Sequence, residues 1–221
     1  MKASEIEGVA VVMHGAFNPS IFQPRWLATQ HLIRAEEAER SKISVIQSEV
    51  ADFATEWFQL QVLQDRLQLI SNDARQYGPL RDLAVSICVL LPHTPVKTVA
   101  LSRHFHFKSE SAEAWHAVGH RLAPKQVWNE FFKDPGLRSM TMQGVVDQKS
   151  RGVAFIKVEP SVKVQPGIFL EVSEQFKTAE QQEDKPSGAH WVPEILTERW
   201  DIVMNFAETV AAKLLRTDAT T

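Results

Sequence analysis

The chain of 221 residues contains a single cysteine, Cys88, which excludes an internal disulfide and any cysteine-built zinc site. Glycine is also sparse, and no Gly-x-Gly-x-x-Gly, Gly-Lys-Ser/Thr or Gly-x-Ser-x-Gly pattern occurs. A phosphate-cradling loop and a nucleophile elbow are therefore not encoded in recognisable form. No apolar run approaches the roughly 18–20 residues of a membrane-spanning helix, since residues 83–91 are interrupted by Ser86. An excess of positive charge is missing too. There are 24 Lys+Arg against 27 Asp+Glu, for a net charge of −3. Residues 1–92 hold 8 basic and 11 acidic side chains, and residues 93–221 hold 16 of each. A dedicated nucleic-acid binder carries a basic domain or stripe, and neither half supplies one. Residues 1–7 are acidic and polar, unlike a secretory or transit signal, so the expectation is a cytoplasmic chain with no membrane attachment.

What is present is the composition of a folded protein: 44% hydrophobic residues, six Trp and twelve Phe. Residues 8–13 read as a buried strand, closed by the turn signal Asn18-Pro19-Ser20. Pro24 suits the first turn of a helix carrying Trp26, Leu27, Gln30, His31 and Ile33. Three strand-like segments follow at 43–50, 56–63 and 66–70, the last two joined by Gln64-Asp65 as a two-residue hairpin. Residues 79–91 form a helix apolar nearly all round, which belongs in a core.

The order then begins again. A strand at 96–107 precedes a helix capped by Ser109 or Ser111. A second short helix from Pro124 contains Val127, Trp128, Phe131 and Phe132. Strands at 139–146, 152–159 and 167–176 lead through a flexible polar loop, 177–188, to the longest helix, 193–215. Its seam is Leu196, Trp200, Val203, Ala207, Val210 and Leu214, which reads as core-facing or, through Trp200 and Phe206, as a docking surface for another subunit. Each half is thus a β-α-β-β-β-α unit. The expected fold is a single α+β domain of two pseudo-repeat halves, 1–92 and 93–221. They form one curved, largely antiparallel sheet with helices on one face, a saddle-like arrangement.

Alternation sorts the strand residues by face. Arg103 shares a side with Val99, Leu101, Phe105 and Phe107, while Thr98, Ala100, Ser102, His104 and His106 lie opposite. Gln59 and Gln61, Thr141 and Gln143, and Glu171, Ser173 and Gln175 fall on that second side. A face of amides, hydroxyls and imidazoles can meet another protein without the cost of burying unpaired charge. The sequence therefore points to a non-enzymatic interaction subunit that binds a protein partner, or a second copy of itself. Gln59, Gln61, His104, His106, Gln143 and Gln175 are the contact residues, and no cofactor is implied.

The histidines carry the alternative. His104 and His106 project to one side of a strand, and His116 and His120 to one side of a helix. Both spacings can chelate a metal, and Glu113 offers a carboxylate for a metal-dependent, hydrolytic reaction. Against this, Ala117 stands where a His-Glu-x-x-His helix has its glutamate, and nothing in the sequence brings the two pairs together. Cys88, within the apolar helix, reads as a small core residue, and His14 with Asn18 as a turn support.

Overall fold

Alternating apolar residues build the centre of the molecule. Val9, Val11 and Met13 of β1 (Ile6–Gly15) are sealed from solvent beside Leu67 and Leu69 of β5 (Arg66–Ser71) and Val99 and Leu101 of β6 (Val96–Lys108). Val11 faces Leu69 on one side and Leu101 on the other. Residues with period two share one face of a pleated strand, so these positions form a continuous apolar surface. The computed structural model describes residues 4–147, 152–178 and 188–214. Its remaining strands are β2 (Lys42–Ile46), β3 (Val50–Ala54), β4 (Gln59–Leu63), β7 (Met140–Gly144), β8 (Val153–Pro160) and β9 (Gly167–Lys177). Together they make one open, wholly antiparallel sheet in the order β2-β3-β4-β5-β1-β6-β9-β8-β7.

The helices are α1 (Pro24–Thr29), α2 (Ala35–Glu39), α3 (Tyr77–Leu90), α4 (Ala112–Leu122) and α5 (Val192–Leu214). They cover the apolar side of the sheet. Leu27 of α1, Leu80, Ala84 and Ile87 of α3, and Leu196, Trp200 and Val203 of α5 pack with Val9, Val11, Leu69 and Leu101. Val118 of α4 and Ala207, Val210 and Ala211 of α5 pack with Phe105, Val158, Leu170 and Val172. Cys88 sits in the first cluster, its Sγ 3.6 Å from Met13 Sδ, and burial pushes its thiol up to about 12. No described helix is long and apolar enough to cross a membrane.

Two ion pairs tie α5 to the sheet in opposite senses. Arg199 of α5 donates from Nη2 to both carboxylate oxygens of Glu174 on β9, each at 3.0 Å. Arg103 of β6 donates to Glu208 of α5 at 2.5 Å and to Glu7 at 3.3 Å. The Arg199–Glu174 pair is buried, and such a pair fixes register more than it adds net stability, whereas Glu208 of the second pair stays exposed.

Several elements depart from the sequence expectation. The stretch 43–50 is not one strand: Gln47 N donates to Val50 O at 2.7 Å, closing a hairpin between β2 and β3. Four strands therefore follow the first helices, and the β-α-β-β-β-α unit describes only the second half. The first helix breaks after Thr29, and His31 takes a left-handed φ of 57° before α2 begins. The helix expected from Pro124 is only a 3₁₀ turn, Gln126–Trp128, and its large side chains lie exposed. In α3 the core side is Leu80, Leu83, Ala84, Ile87 and Cys88, while Val89 and Leu90 reach solvent. The loop expected at 177–188 lies largely outside the described residues, as does the chain end beyond Leu214.

Candidate functional site

The face of the sheet away from the helices gathers most of the chemistry-bearing side chains that the sequence singled out. At its centre the flooring residues are small: Gly8 and Ala10 on β1, Ala100 and Ser102 on β6, and Ser173 on β9. Around them runs a cross-strand row, Gly8, His104, Glu171, Lys157 and Thr141, each directly opposite the next. Gly8 is required by what closes over it. A β-carbon there would lie 2.3 Å from Asn72 Oδ1 and 2.6 Å from His104 Cε1. Asn72 and His104 reach across β1 above this gap and join at 3.1 Å, with the ring Nε2–H donating to the amide oxygen.

His106 lies one step further along β6 and is buried, at 4% exposure. Its Nδ1 is 2.8 Å from Ser161 Oγ. The same hydroxyl accepts from the backbone N–H groups of Lys163 at 3.2 Å and Val164 at 2.9 Å. With both lone pairs engaged, the hydroxyl must donate its proton to Nδ1, which leaves the ring N–H on Nε2. Ser161 therefore pins the turn between β8 and β9. Its oxygen has no lone pair left for attack, so the Ser–His contact is a structural hydrogen bond and not a nucleophile with its base. Phe169 packs beside both rings, 4.9 Å from His106 and 6.3 Å from His104 between centroids.

Partial burial governs the electrostatics of this patch. Desolvation, helped by the nearby Lys163 and His106, lowers His104 to about 4, and desolvation with Lys163 also lowers His106. Desolvation raises Glu171, against the opposing pull of Lys157 and a hydrogen bond from Ser102. Both shifts favour the uncharged form. At the margin, Glu159 is held low by hydrogen bonds from Ser139 and Lys157, the latter ammonium 3.0 Å away. Toward the other edge of the same face, Asp52 accepts from Gln59 at 3.2 Å and from Gln61 at 2.8 Å. Arg66 donates to the oxygen of Gln61 at 2.6 Å. The face is thus not as charge-poor as its sequence pattern suggested, but Asp52, Arg66, Lys157 and Glu159 are matched within it.

The six residues expected to make contacts all lie on this face, in different states. Gln59 and Gln143 are exposed, and Gln61, His104 and Gln175 are half-buried. His106 is covered, so it supports the surface from within. The sequence reading missed Asn72, Ser161 and Phe169. Of these, Asn72 had an indirect signal, because a glycine inside the β-branched run of β1 marks a close approach by a neighbour.

The four histidines do not form one cluster. His104 and His106 occupy the helix-free face, whereas α4 packs through Val118 on the opposite face and leaves His116 and His120 exposed. The ring centroids of the latter two are 6.4 Å apart. Glu113, beside them in the first turn of α4, is held low by hydrogen bonds from the backbone and from the N-cap residue Ser111. Among the described residues, no group of three or more His, Cys, Asp or Glu side chains is placed to hold a metal ion. Trp200 lies in the core, at 4% exposure, which gives the α5 seam to the sheet.

Fold and site together define an α+β protein built on a single open antiparallel sheet, helices on one side and a polar, internally bonded surface on the other. Neither a known protein family nor a curated protein matches the chain.

Proposed function

We propose that the protein is a non-enzymatic interaction subunit and that its helix-free sheet face docks a protein partner. The observation that carries this reading is the state of the polar groups there. Asn72 with His104, Ser161 with His106, Asp52 with Gln59 and Gln61, and Lys157 with Glu159 are already joined across the surface. A partner that covers such a face strands few unpaired charges, which is the main penalty of burying polar surface. The neutral state favoured for His104 acts in the same direction. From Gln61 on β4 to Gln143 on β7 the surface crosses six strand spacings, roughly 29 Å, a width suited to a standard protein interface. Phosphate ligands would call for clustered cations, whereas on this face Lys157 is paired with Glu159, Arg66 donates to Gln61, and, among the described residues, Lys163 stands alone beside the two histidines.

The test is charge insertion. In native extract the protein should sediment as a larger species than when purified. The double substitution Gln59→Lys and Gln175→Lys should abolish that difference while shifting the melting temperature little, since Lys at position 59 stands beside Asp52. Identical sedimentation of purified and extracted protein, or a large species that survives both substitutions, contradicts the reading.

A further inference from the structure

The two edges of the sheet are built differently. An exposed edge strand offers unpaired backbone groups to any other strand, and folded chains usually guard it with charge, proline or a bulge. The β2 edge is guarded by Lys42 and by a register break between Ile43 and Val45. At the other edge, β7 runs in unbroken register with β8 from Met140 to Gly144. The segment 139–146 (Ser-Met-Thr-Met-Gln-Gly-Val-Val) contains no charged residue and no proline. Met142, Val145 and Val146 are exposed by 59%, 61% and 42%. Among the described residues, no backbone hydrogen bond joins β7 to any segment other than β8.

We infer that β7 is the pairing edge for a second copy of this chain, joined antiparallel about a two-fold axis at Met142. The sequence of the strand is self-complementary in that register. Met142 meets its own copy on the helix side. Thr141 meets Gln143 on the other face, twice, where hydroxyl and amide can hydrogen-bond. Met140 meets Gly144, twice, a large side chain against none. An uncharged strand also suffers no like-charge repulsion when paired with itself. Trp128, exposed by 49%, and Phe132, exposed by 58%, line one cleft with Arg138 and Ser139 at the entrance to β7. In the pair they stand beside the far end of the second copy's strand, so the backbone ladder is flanked by apolar anchors. The same aromatics, with Lys125 and Lys133 nearby, would also suit an anionic membrane surface. The unpaired backbone and self-complementary sequence of β7 favour protein, because a second strand satisfies those groups in register and a lipid surface does not. The axis is perpendicular to the sheet, so both helix-free faces lie on the same side of the dimer. The inference does not depend on the proposed function.

Sedimentation equilibrium of the purified full chain between 1 and 100 µM (about one-hundredfold, a range that brackets ordinary dimer affinities) tests it. The expected result is twice the chain mass. Met142→Lys, which places two ammonium groups at the axis, should weaken the dimer at least tenfold, while Ile43→Lys on the guarded edge leaves it unchanged. With Cys88→Ala as background, Met142→Cys should cross-link two chains under mild oxidation and Gly144→Cys should not. A monomer throughout, a dimer indifferent to Met142→Lys, or cross-linking at 144 in place of 142 overturns the proposal. So does a monomer that floats with phosphatidylcholine–phosphatidylserine vesicles, which assigns the exposed aromatics to a membrane surface.

Discussion

Gly8, Asn72 and His104 form the smallest unit in which the chain's chemistry is decided. The glycine leaves a gap bridged by two side chains, His104 from β6 and Asn72 from just beyond the end of β5, and a methyl group there must part them. Gly8→Ala should therefore cost about 1–3 kcal/mol in a denaturant melt. It should also release the His104 ring to solvent and raise its pKa from about 4 toward the ordinary value, a shift that an NMR titration reads. An unchanged His104 titration would show that the bridge re-forms around the methyl. The depressed pKa also has a consequence for stability. An unfolded imidazole titrates near ~6.5, so between that value and about 4 the unfolded chain binds the extra proton, and stability falls as pH is lowered through this window. Glu171, shifted upward, works in the opposite sense: the folded chain keeps its proton to higher pH, and acidification favours the fold. Denaturant melts at pH 7 and pH 4.5 should show that His104→Gln loses less stability on acidification than the parent chain, and equal losses would contradict the assignment. The facing of His104 was legible from strand alternation. Its partner was not, because Asn72 lies 32 residues away and only the register of β5 on β1 brings it near.

At the scale of elements, α5 shows what periodicity can and cannot give. Its seam from Leu196 to Leu214 was readable at three-four spacing; Leu196 through Val210 of it are buried, together with Val192, Met204 and Ala211 that it did not name, and Leu214 is only partly covered. Arg199 lies within that buried surface and was invisible to the pattern: alternation places Glu174 on the helix side with Leu170 and Val172, but it cannot show which helix residue will meet the carboxylate. Arg199→Ala removes the guanidinium partner of a carboxylate with 3% side-chain exposure, and should cost about 3–5 kcal/mol of folding stability. Replacing both members together, Arg199→Met with Glu174→Leu, should recover most of it, and a double-mutant cycle measures the coupling. Additive losses would mean that the pair is not the pin that it resembles. Two other elements resisted reading for local reasons. The β2–β3 turn, 47–49, contains no glycine or proline. The apolar spacing of Val127, Trp128, Phe131 and Phe132 imitates a core helix, although these side chains point outward. A run that satisfies helical periodicity and yet finds no core is what an unfilled contact surface looks like from sequence.

The whole molecule is a sheet with two unlike sides. Helices seal one, and the other carries a hydrogen-bonded polar surface without a described covering element. Composition, the run of strand and helix segments and strand alternation were enough to give the α+β class, the single sheet and the side on which the glutamines fall, while the expected repeat of one unit in both halves did not hold. They could not give the internal pairing of that surface, which depends on contacts between strands far apart in sequence. This pairing makes the surface cheap to dehydrate, and the claim that a protein covers it can be tested at single positions. A photo-reactive amino acid placed in living cells at Gln59 or Gln175 on the sheet face, or at Glu194 or Thr209 on the exposed side of α5, samples what lies against each side. The account predicts a discrete cross-linked protein adduct from positions 59 and 175 and none from 194 and 209. Adducts from α5 alone, or no adduct from the sheet face, would contradict it.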